Sequence, residues 1–329
     1  MRDRLQRPLQ DLRISVTDRC NLRCQYCMPA DRDYHFMPNA HVLRYEEIER
    51  LVRIFVALGV EKVRLTGGEP LIRRDLSTLV GKLSSIPGLR DLGLTTNGMF
   101  LSEKVGGLVA NGLKRITVSL DSLEPKVLEV MSGRSDLQTI LAGLEKSRKL
   151  GLRPIKVNCV LVRGLNEPHA MDMVAWARES GFEMRFIEYM DVGTLNTWGE
   201  DRVVPGRELL ARIQAQFPCE PEIQPEEGRV AQTFRFLDGK GRFGLINSVS
   251  EPFCRGCTRA RLSADGQLFT CLFAQSGVDL KTPLRTGATD DEILATIKTI
   301  WTNRTDRYSE IRQEAQGPRQ RIEMFQIGG

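Results

Sequence analysis

Three cysteines, Cys20, Cys24 and Cys27, stand at the spacing C-x3-C-x2-C within the stretch CNLRCQYC. The stretch follows an alternating apolar run, Leu12 to Thr17, which is typical of a β-strand. These thiolates cannot form a conventional set of disulfides, because one of the three would always remain unpaired. They suit one metal centre whose ligands come from a single tight loop. On a four-iron cluster they would leave one iron open to a small molecule.

A second set of cysteines, Cys254, Cys257 and Cys271, has the form C-x2-C-x13-C. Taken alone, it indicates half of a zinc ribbon at least as readily as an iron–sulfur cluster, since thiolates suit both. A structural zinc site with a distant fourth ligand is also the alternative for the first set, although no His or Cys partner is obvious beside it. Two incomplete sets in one chain favour two clusters, each with an open iron, over two defective zinc sites.

The two other cysteines are predicted to be structural. Cys159 lies on a predicted strand among valines and leucines, and Cys219 lies in a Pro-rich loop. Cys219 is also a candidate fourth ligand for the second set.

The composition is that of a globular protein with a substantial core: 329 residues, 41% hydrophobic and 27% charged. The 47 basic and 42 acidic residues are interspersed, which argues against a nucleic-acid-binding tail and leaves room for a basic pocket facing an anionic ligand. The N-terminal stretch lacks the apolar region of a secretory signal, and no run approaches the ~20 apolar residues of a membrane span. Eight cysteines without such a signal indicate a reducing compartment. We expect a cytoplasmic protein that binds neither membranes nor nucleic acid.

Short apolar runs alternate with helical patterns over the first two thirds of the chain. The predicted strands are 12–17, 60–66, 92–97, 115–121, 155–162 and 183–190, and the helices between them lie near 45–58, 76–85, 102–110, 137–150 and 169–180. This alternation predicts an α/β fold with a parallel sheet, and its length suits a partial (βα)6 barrel of TIM type. A doubly wound open sheet is the alternative, although no G-x-G-x-x-G follows the first strand. In such barrels the active site lies at the carboxyl ends of the strands.

The pattern changes after Asp191. A helix is predicted near 207–216, a Pro-rich acidic linker or surface loop at 218–227, hairpins at 233–249 and 261–272, and a helix near 291–301. We therefore predict a core at residues 1–225 and a C-terminal region at residues 226–329 that carries the second cysteine set.

The first cysteine set and the Gly-Gly-Glu-Pro that follows the second strand together resemble the radical S-adenosylmethionine (SAM) superfamily. The resemblance implies that Cys20, Cys24 and Cys27 bind a 4Fe-4S cluster whose open iron is chelated by SAM. It also implies contacts to SAM from Tyr26, Gly68, Ser119 and Met190. Taken singly, Gly68 would be a turn glycine, Ser119 a cap and Met190 a core residue.

With both cysteine sets considered, the chain is similar to the MoaA family, the GTP 3′,8-cyclases of molybdenum cofactor biosynthesis. The matching motifs run through nearly the whole chain: CNLRCQYCMP, RLTGGEPL, SLDS, MSGR, CRGCTRARLSADG and the terminal Gly-Gly. The resemblance implies a partial barrel with SAM at one end and an auxiliary 4Fe-4S cluster on Cys254, Cys257 and Cys271 at the other. GTP would lie between them, with its guanine reaching the second cluster.

The family's GTP-contacting positions are matched by seven residues, which are Arg13, Arg64, Thr95, Lys156, Arg259, Ala260 through its backbone, and Arg261. Guanidinium groups suit phosphate oxygens, and a charge on an otherwise apolar strand is costly unless it lines a pocket. The alternative is that each of these charged residues is simply exposed at an end of the sheet and binds no ligand. The resemblance further suggests that Gly328 and Gly329 reach into the substrate cavity, with a frayed end as the alternative.

The resemblance implies a lyase-type reaction. One electron at the first cluster would split SAM into methionine and a 5′-deoxyadenosyl radical, which takes hydrogen from C3′ of GTP. The carbon radical then closes onto guanine C8, and a further electron, through the second cluster, together with a proton, quenches the product radical. The product would be (8S)-3′,8-cyclo-7,8-dihydroguanosine 5′-triphosphate, with no catalytic residue beyond the ligands of cluster and SAM. The partners would be GTP and an electron donor, either a chemical reductant or a flavodoxin- or ferredoxin-like protein. The protein itself would be a monomer or a homodimer. The rivals are a radical SAM peptide-modifying enzyme and an iron–sulfur redox sensor, whose nucleic-acid-binding motif is not found in the sequence.

Overall fold

The computed structural model describes residues 1–222, 228, 230–312 and 321–328. Strands and helices alternate through the first two thirds of the chain, as predicted. The strands are β1 (Asp11–Ser15), β2 (Lys62–Thr66), β3 (Asp91–Thr96), β4 (Arg115–Ser119), β5 (Ile155–Leu161), β6 (Glu183–Glu188), β7 (Cys219–Pro221), β8 (Gln232–Phe236), β9 (Arg242–Ile246), β10 (Arg259–Leu262), β11 (Gln267–Phe269) and β12 (Val278–Asp279). The helices are α1 (Tyr45–Ala57), α2 (Leu76–Ser84), α3 (Leu101–Ala110), α4 (Pro125–Ser132), α5 (Leu137–Lys149), α6 (Ala170–Ser180), α7 (Gly206–Gln216), α8 (Lys281–Arg285), α9 (Asp290–Thr302) and α10 (Met324–Ile327).

The first six strands form the centre of one sheet in chain order. Each of them pairs in parallel with the next, from β1 to β6, and helices connect them. This is the arrangement of a partial (βα)6 barrel, and the predicted fold class is confirmed. Parallel strands need crossover connections long enough for a helix, which explains why the apolar runs and helical patterns alternate in the sequence.

The two C-terminal hairpins extend this sheet at opposite edges. The hairpin β8–β9 adds β9 in parallel to β6, whereas the hairpin β10–β11 adds β10 in parallel to β1. Arg259 and Arg261 thereby lie beside Asp11 and Arg13 on the neighbouring strand. Side chains of β9 and β10 line one cavity, so the sheet curves until its two edges face a common interior.

The core lies between the outer face of the sheet and the helices. In α1 the apolar positions recur at helical spacing, and Ile48, Leu51, Val52 and Phe55 are fully buried against the sheet. The inner face of the sheet is different, because its side chains are largely polar or charged and line the cavities described below. The apolar face therefore stabilises the fold, while the polar face remains for ligands.

Some elements differ from the sequence prediction or extend it. The helix α4 was not predicted, although it begins at Pro125 and is followed by Gly133 in the left-handed conformation, two ordinary end signals. Cys219–Pro221, expected in a linker or loop, pairs antiparallel with β8; residues 223–227 of that segment fall outside the described residues. The division into residues 1–225 and 226–329 stays a prediction. In the described part of the chain, no helix is both long and apolar enough to cross a membrane.

Candidate active site

The first cysteine set lies in the loop that leaves β1, and this loop packs closely on the two glycines after β2. The amide of Gly68 donates to the carbonyl of Thr17 at 2.8 Å, and the next amide donates to the carbonyl of Arg19. A Cβ on Gly67 would lie 2.4 Å from the Thr17 oxygen, and one on Gly68 would lie 2.3 Å from the Arg19 oxygen. Gly67 also has a φ of +148°. Glycine is required here because the backbone that leads to Cys20 passes directly over these positions.

Glu69 joins this loop region to the end of β3. Its buried carboxylate accepts hydrogen bonds from the Thr96 hydroxyl at 2.7 Å and from the Asn97 amide at 2.7 Å. Asn97 in turn donates to the side chain of Asn21, next to Cys20. Burial raises the pKa of Glu69 to about 7. The glutamate of the Gly-Gly-Glu-Pro motif therefore has a positioning role that the sequence alone did not reveal.

Tyr26, between the second and third cysteines, is held by Asp121. The phenol donates to Oδ2 of Asp121 at 2.7 Å, while Oδ1 of the same carboxylate accepts from the amide of Val160 at 2.8 Å. Burial raises the pKa of Asp121 to about 6. The cluster loop is thus connected to the ends of β4 and β5 through one buried carboxylate.

Both cysteine sets face one cavity of about 300 Å³, here called the cysteine cavity. It is lined by all six predicted cluster ligands and by most of the predicted SAM and GTP residues: Cys20, Cys24, Cys27, Cys254, Cys257, Cys271, Tyr26, Gly68, Ser119, Met190, Arg13, Arg64, Thr95, Arg259 and Arg261. Ala260 is buried with its side chain in the core, and Lys156 lines the adjoining cavity. The sequence prediction therefore selected residues that the fold brings together from strands β1 to β5 and β10 and from the loops that follow β1, β2, β6, β9 and β11.

The second cysteine set is held by two buried arginines from distant parts of the chain. Arg7 donates to the carbonyl of Cys254 at 2.9 Å. Arg304 donates to the carbonyl of Cys257 at 2.7 Å and to its sulfur at 3.3 Å. Asp3 forms ion pairs with both guanidinium groups, at 2.6 Å with Arg7 and 3.6 Å with Arg304. No local sequence signal identifies these residues, because their partners are far away in the chain.

The raised pKa values of several cysteines mean that their thiolate forms need a cation nearby. Burial raises the pKa of Cys20 to about 11 and that of Cys271 to about 11. Burial would also raise the pKa of Cys257, but the charges of Arg259 and Arg304 lower it to about 6. A coordinating metal deprotonates a thiol outright, so bound iron would compensate the cost of burying these sulfurs as thiolates.

Each cysteine set offers three thiols, and thiolates are ligands of both iron–sulfur clusters and zinc. Across residues 1–222, 228, 230–312 and 321–328, no three His, Cys, Asp or Glu side chains converge as they would around one ion. A zinc ion needs its thiolates at about 2.3 Å, whereas a four-iron cube offers ligand positions on separate corners. The amides of Leu22 and Phe273 donate to the sulfurs of Cys20 and Cys271 at 3.5 and 3.4 Å, and hydrogen bonds to sulfur are one factor that sets the reduction potential of a cluster. Three thiols in each set are therefore a donor set that an iron–sulfur cluster accepts.

A second cavity, here called the charged cavity, continues from the cysteine cavity toward the amino ends of the strands. Arg13, Arg64 and Arg259 line both. Further cations line the charged cavity alone: Lys62, Arg115, Lys156, Arg185 and Arg242. Sequence reasoning missed Lys62, Arg115, Arg185 and Arg242. Lys62 stands on the same face of β2 as Arg64, and Arg115 stands on the same face of β4 as Ser119.

Several of these cations are close together without enough carboxylates to neutralise them. Arg64 donates to the hydroxyls of Thr95 and Thr117 at 3.1 and 2.9 Å. Burial, together with neighbouring arginines, lowers the pKa of Arg64 to about 9 and holds that of Arg13 well below its usual range. Buried like charges are costly unless an anion joins them. This end of the interior is therefore suited to a strongly anionic ligand.

The C-terminal tail reaches the same interior. Glu323 accepts hydrogen bonds from the amide and hydroxyl of Thr194, in the loop after β6. Farther along, the carbonyl of Gly328 accepts a hydrogen bond from the guanidinium of Arg261. Gly329 lies outside the described residues.

Comparison with known proteins adds to this geometry. Two family models match the chain: Radical SAM superfamily over residues 14–177 and Molybdenum Cofactor Synthesis C over residues 182–310. A GTP 3′,8-cyclase of Xanthomonas axonopodis pv. citri is 48% identical over 100% of this chain and 99% of its own length. The chain belongs to the GTP 3′,8-cyclase family. Another GTP 3′,8-cyclase, from Aquifex aeolicus, is 46% identical over 99% of both chains.

Solved structures agree with this family membership at the level of the fold. SuiB of Streptococcus suis, in a crystal structure bound to S-adenosylmethionine, has a TM-score of 0.61 at 17% identity, covering 89% of this chain and 68% of SuiB. Native anSMEcpe with bound AdoMet has a TM-score of 0.51 at 17% identity, covering 63% of this chain and 59% of that chain. As a radical SAM protein, a member of the GTP 3′,8-cyclase family uses SAM and a 4Fe-4S cluster. The loop with Cys20, Cys24 and Cys27 lies within the region matched by that family model and lines the cysteine cavity.

Proposed function

We propose that this protein is a GTP 3′,8-cyclase, which converts GTP to its 3′,8-cyclised dihydro form at the expense of SAM. The observation that carries the proposal is the continuity of the two cavities. A space with two cysteine sets at its sides opens into a strongly basic end, and both are lined by residues at the family's positions. This combination suits radical chemistry on a nucleotide that carries several phosphates.

At the SAM end, the protein's own task is to hold and orient. Cys20, Cys24 and Cys27 would bind the first cluster, and Gly68, Ser119 and Met190 would contact SAM. When bound, cluster and SAM together supply a one-electron cleavage that yields a radical able to take hydrogen from C3′ of the ribose. The hydrogen bond between Tyr26 and Asp121 would fix the aromatic ring beside the bound SAM.

At the other side of the cysteine cavity, we assign a second 4Fe-4S cluster to Cys254, Cys257 and Cys271. The support is the chemistry of the donor set: three thiols line the space, and Arg259 and Arg304 lie within hydrogen-bond reach of the sulfur of Cys257. The guanine would lie toward this set, with the triphosphate directed into the charged cavity. Arg13, Arg64, Lys156, Arg259 and Arg261, with Thr95 and the backbone of Ala260, would then be the GTP-contacting residues.

This orientation separates the roles of the two ends. The basic end would bind the phosphates in ground state and transition state alike, since the reacting atoms C3′ and C8 lie far from them. Positioning of the ribose between SAM and the second cluster would provide the selectivity for C3′, because a bound geometry replaces random encounters. Exclusion of water by the surrounding sheet would protect the radical from side reactions.

The decisive experiment is anaerobic reconstitution with iron and sulfide, followed by addition of SAM, GTP and a reductant. We expect about eight irons per chain and a 3′,8-cyclised product derived from GTP. Cys24→Ser should abolish SAM cleavage, and Arg261→Ala should impair cyclisation more than uncoupled SAM cleavage. Four irons and no consumption of GTP would disprove the proposal, and a bound peptide in place of GTP would favour the peptide-modifying rival. Three further points stay predictions: the electron donor is a reductant or a flavodoxin- or ferredoxin-like protein, the protein is a monomer or homodimer, and its compartment is the cytoplasm.

A further inference from the structure

One acidic side chain, Glu183, lies among the cations of the charged cavity. It is the first residue of β6 and is only 6% exposed. Its Oε1 accepts from Nε of Arg185 at 2.8 Å and lies 3.5 Å from Nζ of Lys156. Its Oε2 accepts from Nε of Arg242 at 3.0 Å. One carboxylate thus contacts three cations that line the same cavity.

The contacts follow from the sheet register. Lys156 on β5 is the direct neighbour of Glu183, and Arg242 begins the strand on the opposite side. Arg185 stands two residues farther along β6, on the same face of the sheet. Glu183 therefore connects three adjacent strands at the basic end of the interior.

The two other carboxylates that line the charged cavity, among the described residues, have different partners. Asp91 forms an ion pair with Arg115, and Asp11 accepts from the hydroxyl of Thr258 at 2.5 Å. Neither has three cations as hydrogen-bond or ion-pair partners. Glu183 is thus the carboxylate placed to organise a cation group.

We propose that Glu183 is a positioning residue for the outer phosphates of the nucleotide, holding Lys156, Arg185 and Arg242 in one charged and ordered group. The inference rests on the proposed function, because it takes the triphosphate to enter the charged cavity. It assigns to Glu183 a part in selecting triphosphates, although the carboxylate itself repels phosphate. The ordering of its three partners, and the positive charge that it helps Lys156 to keep, outweigh that repulsion.

The charge of Lys156 is the sensitive part of this arrangement. The charged groups facing it are Glu183 and Arg185 on β6, Arg115 on β4 and Arg64 on β2. Burial, and then the neighbouring arginines, lower the pKa of Lys156 to about 7, while Glu183 opposes this shift. Loss of the glutamate charge would lower the pKa of Lys156 further, so that most of the lysine would be neutral at physiological pH.

Two readings of Glu183 predict effects of opposite sign. If Glu183 only neutralises surplus positive charge, Glu183→Gln makes the cavity more positive and tightens GTP binding. If it positions the cations, the same change leaves Lys156 neutral and the two arginines unanchored, and GTP binding weakens. Hydrogen bonds between charged groups have energies that correspond to about a tenfold or greater change in affinity.

The test is anaerobic calorimetric titration of the reconstituted enzyme with GTP, GMP and SAM. At about pH 8, Glu183→Gln should raise the Kd for GTP about tenfold or more, and lowering the pH to about 6.5 should recover part of the loss as a fraction of Lys156 regains its proton. GMP lacks the outer phosphates, so its affinity should change less than twofold. The iron content and the Kd for SAM should stay as in the wild type. The matched control is Glu222→Gln, which removes a carboxylate 3.6 Å from Arg242 that does not line the charged cavity.

Each other outcome decides against a specific claim. A GTP affinity in Glu183→Gln that equals or exceeds that of the wild type would overturn the inference while leaving the proposed function intact. Failure of the wild type itself to bind GTP would disprove the proposed function. If Glu183→Gln also loses iron and SAM binding, and the charge-retaining Glu183→Asp loses them equally, Glu183 is only a structural residue and the inference is wrong.

Discussion

Gly68→Ala is the substitution for which the structure gives the most direct prediction. The added Cβ would lie 2.3 Å from the carbonyl oxygen of Arg19, 2.6 Å from its carbon and 2.9 Å from the oxygen of Asp18. Real Cβ atoms essentially never approach closer than 3.0 Å, and these neighbours are backbone atoms that cannot rotate away. The loop leading to Cys20 must therefore move by about 0.7 Å or more, or β2 must distort, since Cβ contacts shorter than ~3 Å are strongly repulsive.

The magnitude follows from this overlap. Overpacking of a tight interior typically costs about 1–3 kcal/mol, and a rigid backbone neighbour puts this site at the upper end of that range. Because the displaced segment carries the first cysteine set, we also expect loss of the first cluster. The iron content should fall from about eight to about four per chain, with the second cluster retained.

The measurements are iron analysis, the electron paramagnetic resonance spectrum of the reduced protein with and without SAM, and denaturant unfolding. The matched control is Gly106→Ala in α3, where a Cβ would meet nothing within 4 Å. That change should be neutral or stabilise the helix by about 0.5–1 kcal/mol, since alanine has the higher helix propensity. Full iron content and a SAM-perturbed cluster spectrum in Gly68→Ala would refute the argument from close approach.

Three further predictions concern other parts of the site. Tyr26→Phe removes the hydrogen bond to Asp121 and should weaken SAM binding about tenfold while leaving the Kd for GTP unchanged. Titration of the enzyme with each ligand would show this difference, and equal effects on both ligands would contradict the prediction. The Kd for GTP should rise about tenfold as the pH rises from about 7 to 8.5, because Lys156 in the enzyme without GTP loses its proton over this range. The phosphates, with a second pKa near 6, are already ionised there. Lys156→Met should remove most of this pH dependence. Arg304→Gln removes charged hydrogen bonds to Cys257 and should lower the free energy of unfolding by about 2–3 kcal/mol. The control Arg255→Gln changes a side chain that is 91% exposed and should alter that free energy by less than about 0.5 kcal/mol. Similar losses in the two variants would contradict the role of Arg304.

The sequence was sufficient for the fold because its signals were local. Alternating apolar runs and glycines after helices predicted β1 to β6 and most helices within about two residues. The short strand at Cys219–Pro221 was mistaken for part of a loop, because it is a strand only through its pairing with β8. Such an element has no signal in its own three residues.

The site was predictable to the extent that a family motif marks it. The cysteine sets and Arg259–Arg261 stand in recognisable strings, and most of them line one cavity. Arg7, Arg304 and Glu183 stand in no such string. Arg7 and Arg304 act on backbone and sulfur atoms of a loop distant in the chain, and Glu183 acts through strand register. Their roles became evident only when the sheet brought these partners together.

Arg261 is the point at which the C-terminal tail and the substrate cavity meet. Burial and the charge of Arg259 lower the pKa of Arg261 to about 10, so the side chain stays charged near neutral pH. One of its five N–H donors binds the carbonyl of Gly328, which fixes the plane of the guanidinium and leaves other donors for an anion. A carboxylate in that position would orient Arg261 equally well but would also neutralise it. A side chain at position 328 would collide with Thr66, where a Cβ would come within 2.3 Å. A glycine carbonyl can therefore orient this arginine at close range and still leave its charge available to a nucleotide.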